Sequence, residues 1–570
     1  MNNHINHSPA SKVLAIGLDG MPPHLLRWLV AEGYMPNVAR LMDEGIYGPL
    51  RSTIPPITPT AWTSFMTGKN PGRHGIYGFL RFFPDNPTEV SLANSQSIAG
   101  STLPDILSQN GKKVGFINLP MTYPPRPVNG FMITGLMTPS TDSSFTYPED
   151  LRNELLEEFP DYDFLVRFEL FDVKTDRGFN DFIDMAIRVI TVRANACEYL
   201  MGKYQWDFLM VHFQSVDGLQ HKLWSYIDPD LDLHIDKWRR DRIIEFYKAL
   251  DTLIGQILLC AKHDDMVTMI MSDHGFGSVK GEIHPNLLLK DWGFLQKSKK
   301  ATGSALHTAN RIKNSLRRVP LLAPVCRAVK NSVRSSARKT WLEYLEEQQN
   351  SFGFGEDFNW EKTSAYFMVR GSYYGNLYIN RNSHANALGM SSETEYSILR
   401  ESLIQRLRRI ESPATGEPVF KQVLKSESIY SGEFLNQAPD LVVVPREGYA
   451  ISDSLLSASF VEESRMRIWG DHREDGIFIV TGNGIKANVP LAGAGIMDIA
   501  PTILYCLGLP IPEDMDGDVL TSVFQEAYID NNPVEYCEAD ETCAIKLKSE
   551  VYSSDEQGMV SERLEGLGYL

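Results

Sequence analysis

The chain has only six cysteines, at positions 197, 260, 326, 506, 537 and 543, and no C-x-x-C spacing among them. Nothing in that pattern suggests a thiolate metal site or a dithiol redox centre. Cys197, Cys260 and Cys506 lie in apolar, helix- or strand-like runs, and the cysteines read as reduced core residues or bystanders in a reducing compartment. Long hydrophobic runs are missing too. The first, residues 13–18, is far too short to be a signal or a span, and no apolar segment follows a basic start at the amino terminus. A soluble, cytoplasmic protein without a membrane span is expected. Positive charge is also short: 55 Lys and Arg against 72 Asp and Glu leave a net charge of −17. Such a surface repels phosphate backbones and anionic lipid, so no stable nucleic-acid complex is expected. Internal repeats and low-complexity tracts are absent. What remains is a 570-residue chain, 43% hydrophobic, long enough for a large α/β core carrying insertions.

Several short apolar runs do not alternate with polar residues, the pattern of strands buried on both faces of a parallel sheet. Residues 13–18, 114–118, 206–213, 266–271, 441–445 and 476–480 have this character, with further strands at 365–368 and 376–380. Helical patterns fall at about 23–32, 36–44, 106–109, 235–262, 393–410 and 498–504. The helix over 235–262 is long enough to cross back over a sheet, as a parallel connection requires. The aromatic, charged region near 140–200 is expected to cover part of the sheet.

Acidic and imidazole groups stand at or just past the ends of three of these strands: Asp19 after 13–18, Asp217 and His221 after 206–213, and Asp273 and His274 after 266–271. Ligands of open parallel sheets sit beyond the strands' carboxyl ends, so these positions converge on one cleft. Asp217 and His221 are spaced i, i+4, which puts both on one helical face. Mixed carboxylate and imidazole donors without thiolates suit a catalytic Zn²⁺ or Mn²⁺ site. Residues 54–79, IPPITPTAWTSFMTGKNPGRHGIYGF, place a threonine in a Pro-rich turn before an apolar helical run and close on Gly68, Gly72, His74 and Gly75. Proline and glycine bend the backbone tightly on both sides, which presents Thr58 either as a nucleophile or as a helix cap.

Taken together, Leu18-Asp19-Gly20, Thr58 with residues 67–76 (TGKNPGRHGI), Asp217-Gly218-Leu219-Gln220-His221, Ser272-Asp273-His274-Gly275-Phe276-Gly277 and Gly470-Asp471-His472-Arg473 resemble the motifs of the alkaline phosphatase superfamily. Within it the chain is most similar to the type I phosphodiesterase and nucleotide pyrophosphatase branch, including bacterial phosphohydrolase/phosphomutase-like proteins. The resemblance covers about residues 13–295 and 350–522, with Ala438-Pro439-Asp440 and Met515-Asp516-Gly517 near its end. It implies a three-layer αβα core around a mostly parallel sheet, with insertions forming a cap. It also implies two divalent ions, zinc first and manganese second. Asp19, Thr58, Asp273 and His274 would hold one, and Asp217, His221 and His472 the other. Thr58 would be the nucleophile, with Thr60 and Thr63 as fallbacks, and the reaction would pass through a phosphothreonine. Lys69, Arg73, Arg81 and His284 are candidate substrate-binding residues. The chain departs from the branch where an Asn usually follows the His-Gly pair to hold a phosphate oxygen: Gly78 and Phe79 stand there. The C/S-x-P-x-R frame of sulfatases is absent around Thr58-Pro59-Thr60.

The expected activity is therefore a metal-dependent phosphohydrolase acting on a small phosphate ester or nucleotide-like substrate, with a phosphomutase and a non-catalytic scaffold as the alternatives. The expected organisation is a first core part over 1–295, a basic insertion or lid over 296–345, the rest of the core over 346–525, and a loosely packed acidic tail over 526–570. The insertion stands out because residues 292–342 contain no acidic residue at all.

Overall fold

A computed structural model describes residues 8–83, 86–164, 170–231, 236–298, 358–369, 373–381, 393–455, 457–463, 468–491, 493–539, 551–567 and 569. The basic insertion expected over 296–345 lies outside these residues except for 296–298.

The core is a nine-stranded sheet. Its strands are β1 (Lys12–Leu18), β2 (Ile46–Arg51), β3 (Val114–Leu119), β4 (Gly130–Thr134), β5 (Thr146–Tyr147), β6 (Phe208–Phe213), β7 (Met266–Met271), β8 (Asp475–Gly482) and β9 (Val489–Pro490). They lie in the order β9-β2-β8-β7-β1-β6-β3-β4-β5. The central strands β7, β1, β6, β3 and β4 run parallel. β8 joins antiparallel to both β7 and β2, and β5 antiparallel to β4. Every residue of β3 and β6, and all of β1 but Lys12, is buried, as their predominantly apolar sequences require.

Helices cover the sheet. Those that matter for the site are α1 (Thr58–Thr67), α2 (Asp176–Lys203), α3 (Ser215–Ile227), α4 (Lys237–Ala261) and α5 (Ser554–Leu567). The long helix read over 235–262 is α4, and the cover expected near 140–200 includes the 28-residue α2. A second, smaller sheet extends from the site: Gly275–Ile283 pairs antiparallel with Trp469–Arg473 and Val461–Glu463 and parallel with Gly448–Ile451. A third, of strands Ala365–Met368, Gly375–Ile379, Leu441–Pro445 and Phe420–Lys425, carries its own hydrophobic core around Phe367, Leu403 and Val443.

The expected loose tail does not hold for its described part. Residues 526–531 form a helix, Tyr536–Cys537 pairs with Ile511–Pro512, and α5 buries Val560, Leu564 and Leu567. Its polar composition hides an i, i+4, i+7 apolar stripe that is enough to dock a helix on a core. Among the described residues no helix is long and apolar enough to cross a membrane.

Candidate active site

The register of the sheet creates the site. Leu18 of β1 lies opposite Phe213 of β6, and Gly17 opposite Met271 of β7, so three adjacent parallel strands end level. The residues that follow them, Asp19, Asp217 on the first turn of α3, and Asp273 with His274, leave the sheet together. All four are fully buried. His472 reaches them across the antiparallel pairing of Phe276 with His472, and its ring stacks on that of His274 at 3.8 Å between centroids. The sequence-predicted ligands therefore converge: Asp217, His221 and His472 form one group, and Asp19, Asp217 and His274 another, with donor atoms in each within 4.8 Å of one another.

Each carboxylate is held by one oxygen and leaves the other facing the cluster. Asp19 Oδ2 accepts from Trp62 Nε1 at 3.1 Å and lies 2.9 Å from His212 Nε2. Asp273 Oδ1 accepts from the Gly20 amide at 3.2 Å. Asp217 Oδ2 accepts from the Tyr569 hydroxyl and, at 3.4 Å, from Gln214 Nε2. The other three oxygens, Asp19 Oδ1, Asp217 Oδ1 and Asp273 Oδ2, are buried without a hydrogen-bond partner. The imidazoles are oriented the same way. His472 Nδ1 lies 2.9 Å from the Pro56 carbonyl and His274 Nδ1 3.1 Å from that of Gly275, which turns both Nε2 atoms inward. His472 Nε2 lies 2.9 Å from His221 Nε2, and each is 3.4 Å from Asp217 Oδ1.

Such a cluster fits cations. Asp19 and Asp217 oxygens lie within 4.8 Å of each other. Two like charges at that separation repel by roughly 3–4 kcal/mol at an effective dielectric of about 20. Burial, followed by the negative charge of Asp217, pushes the Asp19 carboxyl well up; burial and then Asp19 do the same to Asp273. Burial also opposes ionisation of Asp217, but the facing His221 and His472 outweigh it and hold that carboxyl well down. Burial lowers His274, and it opposes the rise that Asp217 imposes on His221. Inward-facing oxygens with no donor, beside inward-facing imidazole nitrogens, are the donor set of a divalent-ion site.

Thr58 opens α1, is fully buried, and places Oγ1 3.3 Å from His274 Nε2. The first turn of a helix leaves N–H groups without intrahelical partners, so its amino end favours anions. Thr58 and Thr60 contribute such groups here, whereas Pro59 has none. Thr63 hydroxyl donates instead to the Pro59 carbonyl at 2.6 Å. Two glycines make the close packing possible. A Cβ on Gly17 would stand 2.9 Å from both the His212 and Trp62 rings, and Gly20 has φ +69°. Any larger residue at Gly17 would prise the two donors off Asp19.

The stretch after α1 is clamped from outside the site. Asn70 donates its amide to Asp516 Oδ2 at 2.8 Å, Phe434 donates to the Gly72 carbonyl at 2.9 Å, and the amides of Asp516 and Gly517 bond the Gly68 carbonyl. Lys69 is paired with Asp514, and Arg73 Nε lies 3.1 Å from Asp516 Oδ1. Acidic residues of the 514–516 turn thus pair with both cations expected to bind substrate, and the pairs fasten a loop. Arg81 lies on the strand Leu80–Phe83 opposite Ser91. His284 sits at the far end of Gly275–Ile283 from His274, grouped with Glu282 and Glu462. Asp440 serves the third sheet, accepting from the Ile379 amide at 2.6 Å and from Tyr396.

Four members of the site were missed in the sequence: Trp62, His212, Gln214 and Tyr569. His212 had a signal, being the one polar side chain in the apolar run 208–213. Tyr569 had none, because the tail's composition reads as solvated.

A family model, type I phosphodiesterase / nucleotide pyrophosphatase, matches residues 13–472. Comparison with curated protein sequences finds no match. Among solved structures, phosphonoacetate hydrolase from Sinorhizobium meliloti 1021 superposes with a TM-score of 0.52 at 14% identity, covering 88% of this chain and 95% of that one. Human ectonucleotide pyrophosphatase / phosphodiesterase 5 is similar with a TM-score of 0.48 at 13% identity, covering 90% of this chain and 100% of that one. The first of these supports the α/β fold described above. The extent of the family match, over a site built from the motifs it spans, makes this chain a member of the type I phosphodiesterase / nucleotide pyrophosphatase family and a hydrolase of phosphoric esters.

Proposed function

We propose that the chain hydrolyses a small phosphate ester or nucleotide-like substrate through a phosphothreonine on Thr58. Asp19, Thr58, Asp273 and His274 would hold one divalent cation and Asp217, His221 and His472 a second. The observation that carries this reading is the set of three inward-facing carboxylate oxygens without donors, Asp19 Oδ1, Asp217 Oδ1 and Asp273 Oδ2, next to the Thr58 hydroxyl. Zinc suits the mixed nitrogen and oxygen donors best, and manganese next. When bound, such ions lower the pKa of a coordinated hydroxyl and neutralise charge on the phosphoryl oxygens.

The chain's own residues supply the rest. Thr58, fixed at the head of α1, is held in one orientation and shielded from bulk water. Its Oγ1 attacks phosphorus in line, the bond to the leaving-group oxygen breaks, and the leaving group departs with a proton. Water then attacks the same phosphorus, returning the proton to Thr58 and releasing phosphate from a monoester or a phosphomonoester from a diester. Two in-line steps retain configuration at phosphorus. The amino end of α1 favours the phosphoryl charge throughout. The described cysteines, Cys197, Cys260, Cys506 and Cys537, are free thiols, which supports a reducing, cytoplasmic setting.

The test is the purified full chain with Zn²⁺ or Mn²⁺ against p-nitrophenyl phosphate, bis-p-nitrophenyl phosphate and a nucleotide ester. Turnover of one or more is expected, and the ratio assigns monoesterase or diesterase. Inertness toward all three with two ions bound per chain would overturn the hydrolytic reading.

A further inference from the structure

Tyr569 comes from outside the matched span 13–472 and enters the cluster from its own direction. It is 1% exposed. Its hydroxyl donates to Asp217 Oδ2 and accepts from Gln214 Nε2 at 3.4 Å. Its ring stacks on Phe79 at 4.6 Å between centroids and stands edge-on to His221 at 5.4 Å and to His472 at 5.9 Å.

The segment that delivers it is firmly attached. Tyr569 N bonds the Leu564 carbonyl at 2.8 Å, which ties it to α5. Arg563 Nη2 donates to the Pro139 carbonyl at 2.7 Å, Ser143 Oγ to Glu556 at 3.1 Å, and the Tyr552 hydroxyl to the Met137 carbonyl at 3.1 Å. α5 is thus strapped to residues 136–143, beyond β4, and its apolar stripe is buried.

The three cluster carboxylates share one design: one oxygen takes donors, the other faces inward. For Asp19 and Asp273 the donors come from the core of the sheet and α1. For Asp217 they are Gln214, at the long distance of 3.4 Å, and Tyr569. Both donate to the same carboxylate oxygen, but the Gln214 contact is long for a hydrogen bond and the Tyr569 contact is short, so Tyr569 is the stronger of the two restraints on Asp217 rotation.

We propose that Tyr569 is a positioning residue for the site: its hydroxyl holds Asp217 with Oδ1 turned toward His221 and His472, which makes the α5 strap a working part of the second cation site. This rests on the two-ion reading above. Without the phenol, Asp217 can rotate and present Oδ2 or no oxygen to the cluster. Phe79, in the stretch where the family resemblance leads one to expect an Asn, serves as the platform that seats the Tyr569 ring.

The experiment is a zinc titration of full-length wild type, Tyr569→Phe and a chain lacking 551–570, each competing with a chromophoric chelator, alongside thermal unfolding of the metal-free proteins. Tyr569→Phe keeps the ring and its packing. It is expected to weaken one of the two ions by about 10–100-fold, the usual cost of losing an outer-shell partner, and leave the other ion unchanged, while the metal-free melting temperature falls only by the loss of one buried hydrogen bond. Excess zinc should then restore most of the turnover. The shortened chain should lose the same ion. Wild-type affinity for both ions in Tyr569→Phe would overturn the proposal and leave Tyr569 a packing residue. Retained turnover in Thr58→Ala would refute the nucleophile but not touch this titration, so the two failures are distinguishable.

Discussion

Gly20→Ala separates backbone strain from damage to the cluster. Gly20 has φ +69°, and Gly33 has nearly the same φ, +74°. A side chain in that left-handed region costs roughly 1–2 kcal/mol. A Cβ on Gly33 would meet nothing within 4 Å, whereas one on Gly20 would stand 2.9 Å from Asp217 Oδ1, 3.2 Å from Asp217 Cβ and 3.3 Å from His274 Cε1. The backbone at Gly20 cannot shift away cheaply. Its amide donates to Asp273 Oδ1 at 3.2 Å and its carbonyl accepts from Gln220 Nε2 at 2.9 Å. Loosening the charged bond costs about 1.5–3 kcal/mol more. Gly33→Ala should therefore lose roughly 1–2 kcal/mol and keep its metal and turnover. Gly20→Ala should lose roughly 3–5 kcal/mol, with turnover down at least about 100-fold because Asp217 is displaced. Urea unfolding, metal content and initial rates on both variants decide it. Equal behaviour of the two variants would refute the placement of Asp217 against Gly20.

Two further perturbations probe the loop after α1. Asp516→Ala removes the acceptor of the Asn70 amide and side chain and the partner of Arg73; it should destabilise the chain by about 2–4 kcal/mol and speed amide exchange over 68–75. Unchanged exchange there would refute the clamp. His74, buried, accepts from the Ile76 amide at Nδ1 and lies 2.9 Å from Ser64 Oγ at Nε2; burial, then the charge of Lys69, pulls its pKa down to about 3 from 6.5. The fold refuses a proton that the unfolded chain accepts. Its contribution is thus full above pH 6.5 and is lost, at up to about 1.4 kcal/mol per pH unit, as pH falls from 6.5 toward 3. His74→Gln should flatten the stability profile between pH 7 and 5; an unchanged slope would contradict the burial of a neutral His74.

The parallel core and most of the cluster were legible because unbroken apolar runs such as 13–18 and 266–271 mark buried strands, and the residues just after them mark the ligand edge. The i, i+4 spacing placed Asp217 and His221 on α3 correctly. His472 was found through its Gly-Asp-His-Arg motif; nothing local shows that antiparallel pairing with the distant strand Gly275–Ile283 would stack it on His274. Lys69 and Arg73 read as phosphate binders because a cation stands near a nucleophile, and only tertiary structure reveals that Asp514 and Asp516, more than four hundred residues on, pair with them. Tyr569 was illegible for the opposite reason. Its segment is polar overall, and the few apolar side chains that dock α5 make too sparse a stripe to stand out from a solvated tail.

The measurement that tests the central claim most directly is acid quenching of the zinc-loaded chain during turnover of p-nitrophenyl phosphate, followed by peptide mass spectrometry of residues 54–79. The account predicts one phosphoryl group on Thr58, absent from Thr58→Ala, which should still bind about two ions per chain while losing turnover. Full turnover in Thr58→Ala, or phosphate found on Thr60 or Thr63 instead, would contradict it.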